Sequence, residues 1–223
     1  MDTSVMHKYD KNKMSIDFSQ KYPNNRTINI VCHGHSVPAG YFKTPLVNTF
    51  DSYPHMLHRL LKKRYPYAVF NVIVTAIGGE NSEQGSYRFE KDVLTHKPDI
   101  ILIDYALNDR RIGLQRAKTA WVSMIEKSIK NNIVTILLTS SADSTSNIDN
   151  DKDPLNELAE MIRQLSTEYG VFLADSFYEF FKYYEKYGSI DLFMSQHNHP
   201  NKNGHRLIIK ALTKCLKKQL GVL

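Results

Sequence analysis

Short apolar runs alternate along the chain with longer segments in which apolar residues recur at helical spacing. The short runs are typical of strands that are buried on both faces of a sheet. Strands that alternate with helical segments favour repeated βαβ units and hence a parallel sheet. The predicted strands cover 27–32, 69–75, 99–104, 133–139 and 171–174.

The helical segments between these strands each carry one apolar face. Apolar residues recur there every three or four positions, so that face can pack on the sheet. Asp153 followed by Pro154 is a typical helix start, because Asp caps the first turn and Pro suits the first helical position. The predicted helices cover 52–63, 117–129, 154–169, 177–187 and 204–220. The pattern predicts an α/β domain of three layers, α/β/α.

The chain divides into a polar N-terminal extension, 1–26, and one domain, 27–223. The extension contains a turn-forming segment and is expected to lie over the surface. The rest shows no internal repeat and no linker, and a chain of 223 residues can form one core. The polar segment 140–153 is predicted to be a long loop, and loops of this length are often functional.

Composition and charge exclude several classes of protein. Hydrophobic residues make up 42% and charged residues 23%, which is typical of an ordinary globular chain. The net charge is +6, but the basic residues are scattered and no nucleic-acid-binding signature accompanies them, so nucleic acid is not an expected partner. No apolar run approaches the roughly 20 residues that span a bilayer. The first ten residues lack a secretory signal pattern, which favours a cytoplasmic location.

Four polar segments carry the candidate chemistry. Three follow predicted strands, where ligands of parallel sheets bind, and one lies near the C-terminus. A serine after a strand is by itself most often a helix cap. Together, however, a hydroxyl, a glycine turn, an amide and an imidazole can supply a nucleophile, oxyanion donors and a base. The segments are Gly34-His35-Ser36-Val37, Gly78-Gly79-Glu80-Asn81-Ser82, Leu107-Asn108-Asp109 and His199-Pro200-Asn201.

In this order the four segments resemble the sequence blocks of the SGNH, or GDSL, hydrolase family of esterases and acylhydrolases. The resemblance covers 27–212 and includes Gly204-His205, a pair that also recurs in the family. It implies a flavodoxin-like fold with five parallel strands in the order 2-1-3-4-5. It also implies hydrolysis of a carboxylic ester by a serine nucleophile, with no metal ion or organic cofactor required.

The resemblance implies a role for each matched residue. Ser36 would attack the ester carbonyl and form an acyl-enzyme, with His199 as the general base. The backbone amides of Ser36 and Gly79 and the side-chain amide of Asn108 would stabilise the oxyanion. Gly79 also suits this position on chemical grounds, because a residue without a side chain allows close approach of backbone and unusual φ values.

Two positions depart from the family pattern. His35 stands where the family usually has Asp, and Gln196 stands where the family has the Asp that partners the catalytic histidine. A Gln oxygen can accept the imidazole N–H but cannot stabilise an imidazolium as a carboxylate does. The sequence therefore leaves open a Ser–His dyad aided by Gln196 or by a backbone carbonyl, or a carboxylate from elsewhere. Asp191 is the nearest upstream candidate for that carboxylate.

Three residues are candidate substrate contacts. Tyr41 follows the nucleophile turn and can wall an acyl or sugar pocket, although it can equally be a core residue. Arg110 lies at the predicted cleft mouth, where it can meet an acidic substrate or form a surface ion pair. His35 can line the site or support neighbouring loops. The form of the last block, together with the absence of a long apolar lid, favours small acyl esters, especially O-acetyl groups on carbohydrates.

Other functions stay open at this stage. Residues 79–85 are similar to the thioesterase branch of the family, which favours a lysophospholipase or thioesterase as the alternative enzyme. A binding module that kept the fold and lost activity is the third reading, and Gln196 is the main argument for it. A metal site is not predicted, because no acidic or thiolate partner shares the local motif of His33, His197, His199 and His205.

Overall fold

The computed structural model describes residues 16–221. The strands are β1 (Thr27–Gly34), β2 (Val69–Val74), β3 (Ile100–Asp104), β4 (Val134–Leu138), β5 (Phe172–Ala174), β6 (Met194–Gln196) and β7 (His199–Pro200). The helices are α1 (Ser36–Ala39), α2 (Tyr53–Arg64), α3 (Ser82–Asp92), α4 (Ala106–Asp109), α5 (Leu114–Lys130), α6 (Pro154–Tyr169), α7 (Ser176–Tyr187) and α8 (Lys202–Leu220). Across this part of the chain, no helix has both the length and the apolar character needed to cross a bilayer.

The five predicted strands form one parallel sheet in the order β2-β1-β3-β4-β5. Both the α/β class and the strand order expected from the resemblance are confirmed. Cys32 of β1 pairs with Val74 of β2 and with Leu102 of β3. The carboxyl ends of these three strands therefore lie side by side, and the segments that follow them share one edge of the sheet.

Helices cover both faces of the sheet, as the three-layer prediction requires. Alternate side chains of β3 enter different apolar clusters: Ile100 and Leu102 point to one face, and Ile101 and Ile103 point to the other. Helices α2, α7 and α8 pack on the first face, α3 and α5 on the second, and α6 contributes to both. Because β3 is buried on both sides, its sequence is a continuous apolar run.

The predicted N-terminal extension is only partly described, since residues 1–15 lie outside the described part of the chain. Its last residues pack on the domain through Phe18, which is buried. The Phe18 ring meets the rings of Tyr65 and Phe70 edge to face, with centroids 5.3 and 5.4 Å away. The end of the extension thus covers apolar core next to α2 and β2, and the division at residue 26 stays a prediction.

Helix α3 and the hairpin of β6 and β7, all near the site, were not predicted from the sequence, and neither were the short helices α1 and α4. Helix α3 begins with a capping box, in which the Asn81 side chain accepts the backbone N–H of Gln84 and the Gln84 side chain accepts that of Asn81. The spacing Asn-x-x-Gln was the available signal. Strands β6 and β7 form a hairpin of three and two residues, which is too short to show any periodicity.

Candidate active site

The predicted nucleophile and the predicted base lie in direct contact. Ser36 is the first residue of α1 and lies two positions after the last residue of β1, and His199 is the first residue of β7. The distance from Ser36 Oγ to His199 Nε2 is 2.8 Å, which fits a hydrogen bond from the hydroxyl to the imidazole. Each residue is only 6% exposed. The pair is therefore largely shielded from bulk water, which strengthens electrostatic interactions there.

A backbone carbonyl holds the other ring nitrogen of His199. The distance from Nδ1 to the carbonyl oxygen of Phe42 is 2.8 Å. Because a carbonyl can only accept a hydrogen bond, Nδ1 carries the proton and Nε2 presents its lone pair to Ser36. Of the alternatives left open by the sequence, the structure supports a Ser–His dyad that is oriented by the main chain.

Neither Gln196 nor Asp191 orients the imidazole, which corrects both of these candidates. Gln196 Oε1 accepts the backbone N–H of Thr44 at 3.0 Å, and its Nε2 donates to Asn198 Oδ1 at 2.8 Å. Gln196 therefore joins the hairpin to the loop after the nucleophile. Asp191 is exposed and belongs to a short 3-10 turn. The actual partner is a main-chain group, which leaves no signal in a sequence.

We expect Asp191→Asn and Gln196→Ala to keep kcat for an aryl acetate within about threefold of the wild-type value, because neither side chain touches the reacting groups. Gln196→Ala also loses the contact with Thr44, so KM is the constant that should change more. Steady-state kinetics of both variants check this. A loss near 10⁴-fold in Asp191→Asn would instead identify the acid of a full triad.

His205 lies on α8, six residues after His199. It supports the segment that carries the Phe42 carbonyl. Its ring stacks on Phe42 with centroids 5.2 Å apart and planes 17° apart. Its Nδ1 accepts the backbone N–H of Tyr53 at 3.1 Å. Burial lowers the pKa of His205 to about 3, so it stays neutral at ordinary pH. The pair Gly204-His205 thus packs behind the site instead of reacting.

The pKa of the His199 imidazole is lowered below its usual value, and burial is the largest cause. The Phe42 carbonyl raises the pKa in part, while positive charge on His35 or His197 would lower it further. A lowered pKa keeps the ring neutral near neutral pH, and the neutral ring is the form that can accept a proton from Ser36.

We expect the acid limb of kcat/KM to have its midpoint below pH 6.5, the ordinary value for histidine. Activity is lost when His199 becomes protonated, and a lowered pKa moves that loss to lower pH. The profile of p-nitrophenyl acetate hydrolysis, with circular dichroism at each pH to verify folding, measures the midpoint. His197→Gln removes a neighbour that lowers the pKa of His199 and should therefore raise the midpoint. A wild-type midpoint above pH 7 would contradict this.

The predicted oxyanion donors lie in the segments that follow β1, β2 and β3, at the same edge of the sheet. Gly79 has φ +82°, a left-handed conformation that favours glycine, and a Cβ added there would meet nothing within 4 Å. The backbone conformation thus favours glycine here, and the space that a Cβ would occupy is open. Asn108 Nδ2 donates to the carbonyl of Glu80 at 2.8 Å, which fixes the amide beside the turn. The same nitrogen has a second N–H that can donate to a substrate oxygen.

A polar network holds this glycine turn in place. The Nε of Arg88 donates to both carboxylate oxygens of Glu80, at 2.9 and 3.0 Å. The hydroxyl of Tyr105 lies 3.2 Å from Glu80 Oε2 and 3.1 Å from both Arg88 and His33 Nε2. Because Glu80 follows Gly79 directly and its carbonyl binds Asn108, this network fixes two of the predicted oxyanion donors.

The histidines near the site have separate structural settings. His33 is fully buried, where it contacts the Thr75 hydroxyl and the Gly85 carbonyl, and burial lowers its pKa to about 3. His205 and His199 bind Tyr53 and Ser36, as described above. In residues 16–221, no group of three or more His, Cys, Asp or Glu side chains is arranged to hold a metal ion.

Tyr41, one of the three predicted substrate contacts, lies beside the site. Its ring covers Gly78, where an added Cβ would come within 3.2 Å of the ring, and its centroid is 6.1 Å from that of His199. The prediction for His35 is corrected, because this residue has no exposed surface and cannot line a substrate pocket.

Arg110 forms an ion pair with a protein group, which is one of the two alternatives that the sequence left open, and its contact with substrate stays a prediction. Its Nη2 binds Asp143 Oδ2 at 2.7 Å, and its Nη1 donates to Ser146 Oγ at 3.2 Å. Asp143 and Ser146 belong to the predicted long loop, 140–153. In the same loop, the backbone N–H of Ser144 donates to the carbonyl of His197 at 2.8 Å. The loop therefore braces the hairpin that carries the predicted base.

An α/β sheet with a serine and a histidine in contact at its carboxyl edge is the arrangement of an SGNH-type hydrolase. The family model described as GDSL-like Lipase/Acylhydrolase family matches residues 32–207. The chain belongs to this family.

Several solved structures share the fold. Axe2, an acetylxylan esterase from Geobacillus stearothermophilus, is 19% identical with a TM-score of 0.71, over 84% of this chain and 93% of that one. LAE5, an α/β hydrolase from the metagenome of Lake Arreo in Spain, is 18% identical with a TM-score of 0.73, over 84% and 94%. The two-domain esterase CEX, active on acetylated mannans, is 20% identical with a TM-score of 0.71, over 87% and 49%. This chain thus spans about half of CEX.

A sequence relative matches a shorter region. The uncharacterized lipoprotein YqeF of Bacillus subtilis (strain 168) is 34% identical over an alignment of 77 residues, and the match covers 31% of this chain and 32% of that protein. The match therefore spans about a third of YqeF. The cytoplasmic location of the present chain stays a prediction.

Proposed function

We propose that this protein is a serine esterase that removes small acyl groups, above all O-acetyl groups from carbohydrates, through an acyl-enzyme on Ser36. The observation that carries the proposal is the 2.8 Å contact between Ser36 Oγ and His199 Nε2. Membership of the GDSL-like family supports ester hydrolysis. Two esterases that share the fold support the substrate class, since CEX is active on acetylated mannans and Axe2 is an acetyl-xylooligosaccharide esterase.

The geometry suits acyl transfer in two steps. Ser36 attacks the ester carbonyl while His199 Nε2 takes the hydroxyl proton. The carbonyl oxygen becomes an oxyanion, which the backbone amides of Ser36 and Gly79 and the Asn108 amide stabilise. His199 returns the proton to the leaving alcohol, and then activates a water that hydrolyses the acyl-enzyme. Throughout, the Phe42 carbonyl keeps the proton on Nδ1.

Published variants of a protein with the same fold support a Ser–His pair. Two structures of Axe2 are described as catalytic mutants, one with a serine and one with a histidine replaced by alanine. One serine and one histidine are also the groups to which the present proposal assigns the chemistry. The brace formed by Phe42 and His205 supplies the orientation that such a histidine needs.

Tyr41 supports a preference for small acyl groups. Its ring lies against Gly78, directly before the Gly79 donor, and faces the ring of His199. It therefore occupies space beside the position of the reacting carbonyl. The tyrosine is half-buried, and its hydroxyl gives the wall of the site a group that can hydrogen-bond to a sugar.

Exposed apolar residues beside the site favour a second candidate, an acylhydrolase for longer acyl chains such as a lysophospholipase. Val47, which pairs with Tyr41, is 44% exposed, and its neighbour Leu46 is 58% exposed. Ile77, which precedes Gly78, is 48% exposed. An apolar rim of this kind can hold an acyl chain or contact lipid.

An ester series distinguishes these candidates. Wild type and Ser36→Ala are assayed with p-nitrophenyl esters from acetate to palmitate, and by acetate release from acetylated xylo-oligosaccharides and acetylated mannan. Ser19→Ala, at an exposed position, is the matched control. We expect kcat/KM to be highest on acetate and acetate to be released from the sugars, with both activities lost in Ser36→Ala alone.

Other results would change the assignment. A preference for palmitate over acetate, with no release from the sugars, would favour the acylhydrolase for longer chains. Folded protein that turns over none of these esters, and whose Ser36 is not labelled by a fluorophosphonate, would favour the binding module.

A further inference from the structure

A second imidazole contacts the predicted nucleophile. His35 directly precedes Ser36 and is fully buried, and its Nδ1 lies 3.4 Å from Ser36 Oγ. The same Nδ1 accepts the backbone N–H of Val37 at 3.3 Å, which caps α1, the short helix that begins with Ser36. His35 therefore fixes the helix start and also forms part of the surroundings of the attacking oxygen.

A buried carboxylate lies behind this imidazole. Asp104 is the last residue of β3, where the strand pairs with Gly34 of β1, and its backbone carbonyl accepts the N–H of His35. Its Oδ1 is 3.5 Å from His35 Nε2. Within residues 16–221, neither of these two atoms has a hydrogen-bond partner. Buried polar atoms without partners are costly, so a small shift that joins them is favourable.

The contacts of His35 determine where its proton resides. Because Nδ1 accepts the Val37 N–H, it must present a lone pair, and the proton lies on Nε2, which faces Asp104. A carboxylate accepts this N–H and so stabilises that tautomer. In the other tautomer, an N–H on Nδ1 would clash with the Val37 N–H and would donate into a lone pair of Ser36 Oγ.

Two other side chains, Cys32 and Tyr53, also face Asp104. The pKa of each is raised, first by burial and then by the charge of Asp104, so both stay neutral at ordinary pH. The neutral Tyr53 hydroxyl is a hydrogen-bond donor for this carboxylate, so Tyr53 shares it with the His35 N–H.

We infer that His35 and Asp104 are positioning residues for Ser36. Asp104 holds His35 in the tautomer with its proton on Nε2, so that His35 caps α1 and presents a lone pair, not an N–H, to Ser36 Oγ. The hydroxyl then gives its proton to His199 and keeps its own lone pairs for attack. The carboxylate that His199 lacks thus acts on the histidine next to the nucleophile. The inference rests on the proposed function of Ser36.

Asp104→Asn tests the inference with little change of shape. The new amide can donate to His35 Nε2 and would favour the wrong tautomer. We expect kcat to fall by about 10- to 100-fold, as for other groups that orient a reacting partner, with KM within about twofold. Asp99→Asn is the matched control, because Asp99 precedes β3 at the opposite edge of the sheet, and its kcat should stay within about twofold.

A double variant distinguishes the tautomer from general support of the fold. In His35→Asn the new side-chain oxygen can still cap the Val37 N–H, and it has no tautomer to select. Adding Asp104→Asn to His35→Asn should therefore change kcat by less than about twofold. The kcat of the double variant is compared with that of His35→Asn. If it is lower by the full factor by which Asp104→Asn alone lowers the wild-type kcat, Asp104 supports the fold and the inference is wrong.

Nitrogen NMR of ¹⁵N-histidine-labelled wild-type protein gives a readout that needs no turnover. We expect a protonated Nε2 and a bare Nδ1 for His35, assigned by loss of the signals in His35→Asn. A protonated Nδ1, or wild-type kcat in Asp104→Asn, would overturn the inference. Activity that survives in Ser36→Ala would instead refute the proposed function, so the two failures are distinguishable.

Discussion

His199→Ala should lower kcat for ester hydrolysis by roughly 10³- to 10⁵-fold in a protein that remains folded. A complete Ser-His-Asp triad accounts for about 10⁶-fold, and a dyad left after loss of its acid for about 10²-fold. The present pair lies between these limits. The Phe42 carbonyl holds the tautomer and orientation of the ring, as an acid would, but it does not carry the charge that stabilises an imidazolium.

The same loss of kcat is expected for Ser36→Ala and for the double variant that combines Ser36→Ala with His199→Ala. Nucleophile and base act as one unit, since the proton leaves Ser36 Oγ for His199 Nε2 in the attacking step. Removing the second partner therefore costs almost nothing once the first is gone. Steady-state kcat and the melting temperature of all three variants test this, with the exposed His96→Ala as the matched control. If His199→Ala kept a tenth of wild-type activity, another group would be the base.

The strands were predictable because their sequences reflect burial directly. Every residue of β3 and β4 is buried, so each strand is a short apolar run. Helix α3 escaped prediction for the opposite reason. Its buried face consists of Ser82, Gly85, Ser86 and Phe89, which have helical spacing but include only one large apolar side chain. Small residues allow close packing there, as the Gly85 contact with the Tyr105 ring indicates, yet they carry no hydrophobic signal.

The groups that support the site depend on tertiary contacts. The sequence could assign Ser36 as the nucleophile and His199 as its base, because the order of the four motifs resembles that of the family. The structure brings these two residues into contact. The Phe42 carbonyl could not be identified, because every residue offers such an acceptor and only the fold selects one. The ion-pair partner of Arg110 could not be predicted for a similar reason. Asp143 is 33 residues away along the chain, in a loop without periodicity.

Asn108→Ala should lower kcat by about 10²- to 10³-fold, which corresponds to about 2.7–4 kcal/mol of lost transition-state stabilisation. The Asn108 amide is held by its hydrogen bond to the Glu80 carbonyl, so its orientation is set before the oxyanion forms. Such a donor acts mainly in the transition state, and KM should therefore change far less than kcat.

The substitution also removes a structural hydrogen bond, and the two effects can be separated. Loss of the Asn108 side chain leaves the Glu80 carbonyl without this donor, which should lower the free energy of unfolding by about 1–3 kcal/mol. Kinetics measured well below the melting temperature exclude that contribution, and Asn71→Ala, at an exposed strand position, is the matched control.

Asn108→Asp keeps the size of the side chain but puts a negative charge where the oxyanion develops, so its kcat should be no higher than that of Asn108→Ala. A rise in KM with unchanged kcat would instead place Asn108 in ground-state binding and leave oxyanion stabilisation to the two backbone amides.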